Sequence, residues 1–395
     1  LCDMVVLRQA LPPVSPAGQA VPLLHPHASK RRNRPFLPTS EMLDRVAGQD
    51  ARTPRRAHPS SSASRRGFLL LAGLVVSITP LIAQAAPPKE DKEVSWGAFG
   101  PAVFPQPDRL VAVGDLHGDL EAARKVLRVA GVLHPSRDEW VGGKTVLVQV
   151  GDQLDRGDDE LAIIALLHNL SMQAERAGGA LHVMLGNHET MTAMDQMVYG
   201  TRGAFERFDL WEQECKPQFE GKGPVPNHDE HHCELYTGNL ECGPDDATCQ
   251  SNLGTRVPDW ARARYLAVRK GGAVSRTVFR NERRSFLVVG DTLFVHGGAL
   301  PEHVKDGARG LEQMNREVAR WIAGEGAEPG WLNGENSPFW TRYYSQGVIG
   351  PKGQCKTLNA VFGKLPGVKR MVVGHTPQQM GCNEVCNGGV WRIDT

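Results

Sequence analysis

GDLHGD at 114–119, GDQLDRG at 151–157, GNHE at 186–189, VHGG at 295–298 and VGHT at 373–376 each close a short apolar run. A strand that ends in Gly and then in Asp, Asn or His lets the backbone turn sharply. It points a polar side chain into the crevice at the carboxyl ends of the strands, where α/β sheets keep their sites. The run at 110–113 stops at Gly114, and Leu120, Ala123, Leu127 and Ala130 then fall at helical spacing, so a strand is followed by a helix. The alternation repeats with a strand at 145–150, a helix at about 159–176 and a buried strand at 181–184.

Further along, the pattern changes to closely spaced strands at 286–289 and 292–295 around a Gly290-Asp291 turn, with others at 371–373 and 390–393. The reading is α/β: two packed mixed sheets flanked by helices in α-β-β-α layers. A long stretch at about 190–284 separates the two halves and reads as an insertion or cap. It holds Cys215, Cys233, Cys242 and Cys249.

The 395 residues, 41% hydrophobic and 23% charged, are ordinary for a folded globular protein and exclude fibrous and wholly disordered classes. The formal net charge of +1 is the sum of two unlike regions. Residues 1–85 hold 11 Lys and Arg against 4 Asp and Glu, leaving 34 against 40 over 86–395, a formal charge of −6. That remainder has no basic excess for nucleic acid.

The basic region is rich in Pro, Ser and Arg and reads as targeting sequence. Arg65 and Arg66 precede an uncharged stretch at 67–85 that closes in Ala83-Gln84-Ala85, a small-residue cleavage pattern. With some sixty transit-like residues ahead of it, a bipartite chloroplast transit peptide and thylakoid-lumen signal fits best, with no stable membrane association once it is cleaved. A membrane anchor at 67–85 is the alternative, weakened by Pro80, Ser77 and Thr79. Residues 86–108 read as a Pro-rich linker before a domain at 109–395. The sequence starts at Leu1 rather than Met, as a fragment or an incomplete gene model would.

Taken singly, Asp115 or Asp152 could cap a helix and His296 could be a buried structural histidine. Five strand-end blocks of such residues in one order argue instead for a shared metal site. Imidazole, carboxylate and amide ligands without thiolate suit Mn, Fe or Zn. Asp119 reads as the cap of the helix at 120, and Glu189 as support for the turn after Asn187. The cluster His228, Asp229, Glu230, His231, His232 and Cys233 reads as a solvated loop, with zinc pickup the alternative. Seven cysteines follow the signal, none in a catalytic block. Their clustering suggests disulfides with one thiol left over by parity, against a reduced chain with buried thiols.

The five blocks resemble those of the metallophosphoesterases, and the DRG and GNHE forms resemble the phosphoprotein phosphatases. LDRGDDE at 154–160 and GNHETM at 186–191 differ from the forms usual in the main eukaryotic Ser/Thr phosphatases, and within that group the chain most resembles the Shewanella-like protein phosphatases. The resemblance spans about 109–395. It implies the calcineurin-like metallophosphoesterase fold and a bimetal phosphoprotein phosphatase. Asp115 and His117 would hold one cation, Asn187, His296 and His375 the second, and Asp152 would bridge them. His188 would be the catalytic acid, Asp155 its orienting carboxylate, and Arg156 the phosphate clamp. Arg342 would be a second clamp, against the alternative of a surface arginine stacked on Trp340 or Tyr343.

The chemistry agrees with that assignment. A carboxylate can bind two cations ~3.5–4 Å apart, which acidify a shared water for in-line attack on phosphorus. Imidazole titrates near neutral pH and can protonate the leaving alkoxide, while a planar guanidinium pairs with phosphate oxygens. Phosphoprotein substrates are implied, phosphoserine and phosphothreonine first, with phosphotyrosine following if the 190–284 stretch forms a deep cap. Because the given sequence ends at Thr395, the resemblance also implies weak inhibition by okadaic acid and microcystin. The alternatives are a small phosphoester hydrolase, such as a dinucleoside polyphosphatase, and a non-catalytic metal-binding scaffold.

Overall fold

The computed structural model describes residues 4–9, 101–221, 232–238, 240–243, 246–347 and 349–395. Strands β1 (Met4–Gln9), β2 (Val103–Phe104) and β3 (Arg109–Val113) lead into helix α1 (Leu120–Val129). Then come β4 (Val146–Gln149), α2 (Glu160–Arg176), β5 (Ala180–Met184) and the short α3 (Asn187–Ala193). Helix α1 starts where expected because the Asp119 carboxylate accepts the Ala122 N–H at 2.9 Å. It buries Ala123, Val126 and Leu127 along one face.

The expected insertion is largely helical, with α4 (Arg202–Phe219), α5 (Ala247–Thr255) and α6 (Arg262–Val268). The second half follows as β6 (Arg283–Arg284), β7 (Phe286–Val289), β8 (Thr292–Val295), α7 (Gly307–Ile322), α8 (Gln354–Phe362), β9 (Arg370–Val373), β10 (Asn383–Val385) and β11 (Val390–Arg392).

One sheet runs β1-β3-β4-β5-β6, parallel except for β1; the other runs β10-β11-β9-β8-β7-β2 and is mixed. Period-2 alternation builds the layers. Leu110, Ala112, Val148, Val150 and Met184 of the first sheet meet Leu287, Val289, Phe294, Val372 and Ile393 of the second. Val111, Val113, Leu147 and Val183, which face the other way, pack under α1 and α2. Phe286, Val288, Val295 and Met371 pack under α7 and α8. The α-β-β-α expectation holds.

One reading of the sequence changes. The linker expected at 86–108 ends sooner: Ala102 is buried and Val103–Phe104 pair with β7 as an edge strand, because an apolar segment can complete an open sheet edge. Of the targeting region at 1–85 only Met4–Gln9 is described, an apolar run that pairs antiparallel on the free edge of β3. Arg65, Arg66 and Ala83-Gln84-Ala85 lie outside the described residues, as do His228, Asp229, Glu230 and His231. The insertion is built into the body of the fold: Phe208, Trp211, Tyr265 and Ala267 share one core with Leu161 and Ile164 of α2 and with Val318 and Trp321 of α7. Disulfides Cys215–Cys233 and Cys242–Cys249 close it, Cys355–Cys386 ties α8 to β10 and β11, and Cys382 is in none of the three. Among the described residues no helix is long and apolar enough to cross a membrane.

Candidate metal centre and active site

Asp115, Asp152, His296 and His375 stand in the turns after β3, β4, β8 and β9, and Asn187 opens α3 after β5, all at the carboxyl ends of the strands. Gly374 allows the close approach: a side chain there would collide with the Asp115 carboxylate. Five of the expected site residues hold left-handed backbone, with φ of 45° at His117, 54° at Asp152, 67° at Asp155, 69° at Arg156 and 66° at His375. Such strain, of order 1–3 kcal/mol per residue, persists only where the surroundings enforce it. Each of the five main-chain N–H groups is tied down, to Asp152 O, Glu189 Oε2, Glu160 Oε1, Tyr199 O and the Asp115 carboxylate in that order.

Glu189 holds one of these five and three N–H groups beside it, as the turn reading expected. Its buried carboxylate accepts four main-chain N–H groups, from Gly186 at 2.7 Å, Asp152 at 2.9 Å, Gln153 at 2.8 Å and Leu154 at 3.0 Å. Burial and the Asp152 charge raise its pKa; the N–H donors oppose that rise.

Asp152 sits at the centre, 2% exposed. Its Oδ1 accepts the His188 N–H at 2.9 Å, and its Oδ2 lies 3.2 Å from His296 Nε2, 3.8 Å from His117 Nε2 and 3.9 Å from His188 Nε2. Burial opposes its charge, but the His296, His188 and His117 imidazoles hold the carboxyl well below the usual carboxylate range. Asn187 Oδ1 lies 2.9 Å from His296 Nε2 and 2.7 Å from His375 Nδ1.

The rings are oriented from behind. His117 Nδ1 faces Leu154 O at 3.0 Å, His296 Nδ1 faces Val150 O at 2.9 Å and His375 Nε2 faces Trp340 O at 3.0 Å. A carbonyl only accepts, so each of these nitrogens carries the proton and the other ring nitrogen turns its lone pair inward. Those lone pairs meet the acceptor oxygens of Asp152 and Asn187, an arrangement that requires a proton or a cation between them. The donor set therefore fits metal, in two overlapping groups, His117 with Asp152 and His188, and Asp152 with His296 and His375. Without a cation the Asp152 and Asp115 charges, against the cost of burial, push His296 up to about 10, while burial and the His296 charge take His375 down to about 3.

Asp115 reaches this cluster through the His375 N–H, 3.1 Å from its Oδ2. Burial raises its pKa well above the ordinary value, helped by the neighbouring Asp394 and Asp152 carboxylates. Asp394, 7% exposed and hydrogen-bonded to Asp115, was missed in the sequence. Its only signal was its place just after β11, like the other strand-end residues. A cleft of about 580 Å³ opens here, lined by Asp115, His117, Arg156 and Asp394.

His188 holds Asp155 Oδ2 at 2.7 Å through Nδ1, and its Nε2 lies 3.3 Å from Arg156 Nη2. Burial lowers its pKa, but the Asp155 and Asp152 carboxylates outweigh that and raise it. Arg156 is exposed at the mouth, its guanidinium 5.8 Å from the Tyr199 ring, which stands 5.2 Å from the His188 ring. Arg342 also reaches the site, its Nη1 donating to His375 O at 2.8 Å and Thr376 Oγ1 at 2.9 Å. Tyr199 carried no sequence signal.

Residues 108–379 match the calcineurin-like phosphoesterase family. The chain is 39% identical over 305 residues to Shewanella-like protein phosphatase 2 of Arabidopsis thaliana, covering 74% of this chain and 72% of that one. An uncharacterised Schizosaccharomyces pombe protein is 28% identical over 294 residues, 73% of each. The solved structure of a cold-active protein-tyrosine phosphatase from a psychrophilic Shewanella aligns with a TM-score of 0.50 at 21% identity, over 75% of this chain and 73% of that one, a likeness of fold. With its five strand-end blocks intact, the chain belongs to the calcineurin-like phosphoesterases and, among them, to the Shewanella-like protein phosphatases.

Proposed function

We propose that the cluster around Asp152 is the active site of a metal-dependent protein phosphatase that hydrolyses phosphomonoesters on protein side chains. The observation that carries this reading is the convergence of inward lone pairs from His117, His296 and His375 on the oxygens of Asp152 and Asn187, each ring locked by a main-chain carbonyl. Asp115 and His117 are proposed to hold one divalent cation and Asn187, His296 and His375 the other, with Asp152 shared; manganese is the working choice. Bound there, the pair would supply an acidified water as nucleophile and positive charge at the phosphate oxygens. Arg156, exposed at the mouth, makes paired hydrogen bonds to those oxygens, and Arg342 is proposed to add to the positive field. His188 gives its Nε2 proton to the departing alkoxide, with Asp155 accepting from Nδ1 and so fixing the ring.

The preference for phosphoserine and phosphothreonine rests on the wider phosphatase resemblance. A specific observation favours a second reading, phosphotyrosine: Tyr199, 49% exposed, forms an aromatic wall beside His188 and Arg156 where a substrate ring would stack. Turnover of matched phosphoserine, phosphothreonine and phosphotyrosine peptides, with Mn²⁺ and with chelator, tests both. Diadenosine tetraphosphate serves as the small-ester control, and turnover of that compound alone would overturn the phosphoprotein reading.

Delivery to the chloroplast, and from there to the thylakoid lumen, is proposed on Arg65, Arg66 and Ala83-Gln84-Ala85. Three disulfides are the form a chain takes in an oxidising compartment, which supports export. The mature terminus is then expected at or near Ala86. Recovery of an intact 67–85 segment in a membrane fraction would count against this.

A further inference from the structure

Asp155 has two carboxylate oxygens, and only Oδ2 faces His188. Oδ1 accepts from Nη2 of Arg264 at 2.8 Å, and Arg264 belongs to α6 of the insertion, 109 residues away in sequence. The same guanidinium makes a forked pair with Glu160, Nε to Oε2 at 2.6 Å and Nη2 to Oε1 at 2.8 Å. Glu160 Oε1 in turn accepts the Asp155 N–H at 2.7 Å. The three residues therefore form a closed ring that grips Asp155 by main chain and by side chain. All three are fully buried. The Phe205 ring lies 5.2 Å from the Arg264 guanidinium carbon and leaves it little room to shift.

We infer that Arg264 is a positioning residue of the reaction, through which the insertion aims the Asp155 carboxylate at the His188 imidazole. The inference rests on the phosphatase reading and on the proposed role of His188. Asp155 sits at a φ of 67°, a strain that persists only where neighbours enforce it, and Glu160 and Arg264 are among those neighbours. Without Arg264 it would also lie beside a second buried carboxylate, Glu160, with nothing to hold the two together. A lysine ammonium is a point charge that cannot span both carboxylates as the planar fork does. The insertion, whose Tyr265 and Ala267 share a core with Leu161 and Ile164 of α2, is thereby part of the catalytic apparatus.

The test uses the full chain supplied with Mn²⁺ and two phosphate esters. Phenyl phosphate has a poor leaving group that needs a proton; p-nitrophenyl phosphate has a good one that hardly does. Arg264→Lys is expected to lower kcat on phenyl phosphate by roughly 10- to 100-fold, with KM and metal content unchanged, and to lower it by less than about threefold on p-nitrophenyl phosphate. In a His188→Asn background, Arg264→Lys is expected to have no further effect on phenyl phosphate. Equal losses on both esters, or full additivity with His188→Asn, would overturn the inference. If Arg264→Lys does not fold, Glu160→Gln, which breaks the same ring from its far side, carries the same leaving-group expectation. Collapse of both variants would assign the ring a structural role only. Wild-type protein inert towards both esters would overturn the phosphatase reading itself, whereas wild-type turnover with an unselective Arg264→Lys loss overturns this inference alone.

Discussion

Glu189 Oε2 accepts the main-chain N–H of Asp152 at 2.9 Å, and Asp152 Oδ1 accepts the main-chain N–H of His188, next in sequence to Glu189, at 2.9 Å. The turns after β4 and β5 are thus laced together by two carboxylates, one structural and one in the candidate metal centre. Glu189→Gln should unlace them. An amide has one acceptor oxygen for four N–H donors, so stability should fall by about 2–4 kcal/mol and affinity for the cations by roughly 10- to 100-fold. Thermal unfolding and metal titration read the two effects; unchanged metal affinity in the folded variant would contradict the coupling.

Asp152→Asn and His188→Asn should fail in different ways. The first replaces the central anion with a neutral amide, so bound metal and turnover should both fall away. The second should keep its metal and lose kcat on phosphopeptides by ~10²–10⁴-fold, the scale of a general acid. Metal analysis of the purified variants beside their rates separates them. Near-wild-type turnover in metal-loaded His188→Asn would remove that residue from the mechanism.

Tyr199→Ala discriminates the two substrate readings. If the ring stacks on phosphotyrosine, kcat/KM for phosphotyrosine peptides should drop roughly 2- to 12-fold, the worth of one aromatic pair, while phosphoserine peptides are unaffected. Equal changes on all three peptides would contradict the stacking role.

His182 on β5 makes stability depend on acid. Burial, with a smaller push from Arg284, takes its pKa down to about 3 from an ordinary 6.5. The unfolded chain then takes up a proton below pH 6.5 that the folded chain refuses until about pH 3. Stability from this group is therefore complete above pH 6.5 and is lost as pH falls toward 3, amounting to about 2 kcal/mol by pH 5. His182→Phe, which keeps a ring beside Phe104 at the 4.5 Å contact, should flatten the decline in unfolding midpoint between pH 7 and 5. An unaltered slope would contradict the assignment.

By itself the sequence determined the layered α/β class, most of the sheet strands and the residues gathered at their carboxyl ends. Those properties are local: period-2 apolar runs, Gly at the strand end, and a polar ligand after it. The sequence also placed the Asp119 cap and the Glu189 turn, whose partners lie three residues away or in the neighbouring block. Tertiary structure decided the rest. Two-residue strands such as Val103–Phe104 and Arg283–Arg284 have no period to read and exist only because a neighbouring strand offers hydrogen bonds. Disulfide partners, the carbonyls behind His117, His296 and His375, and the placing of Tyr199 depend on chain crossings that no spacing encodes. Arg264 is the sharpest case. In sequence it is one arginine among several in a polar insertion, and only the tertiary packing of α6 brings its guanidinium between Asp155 and Glu160.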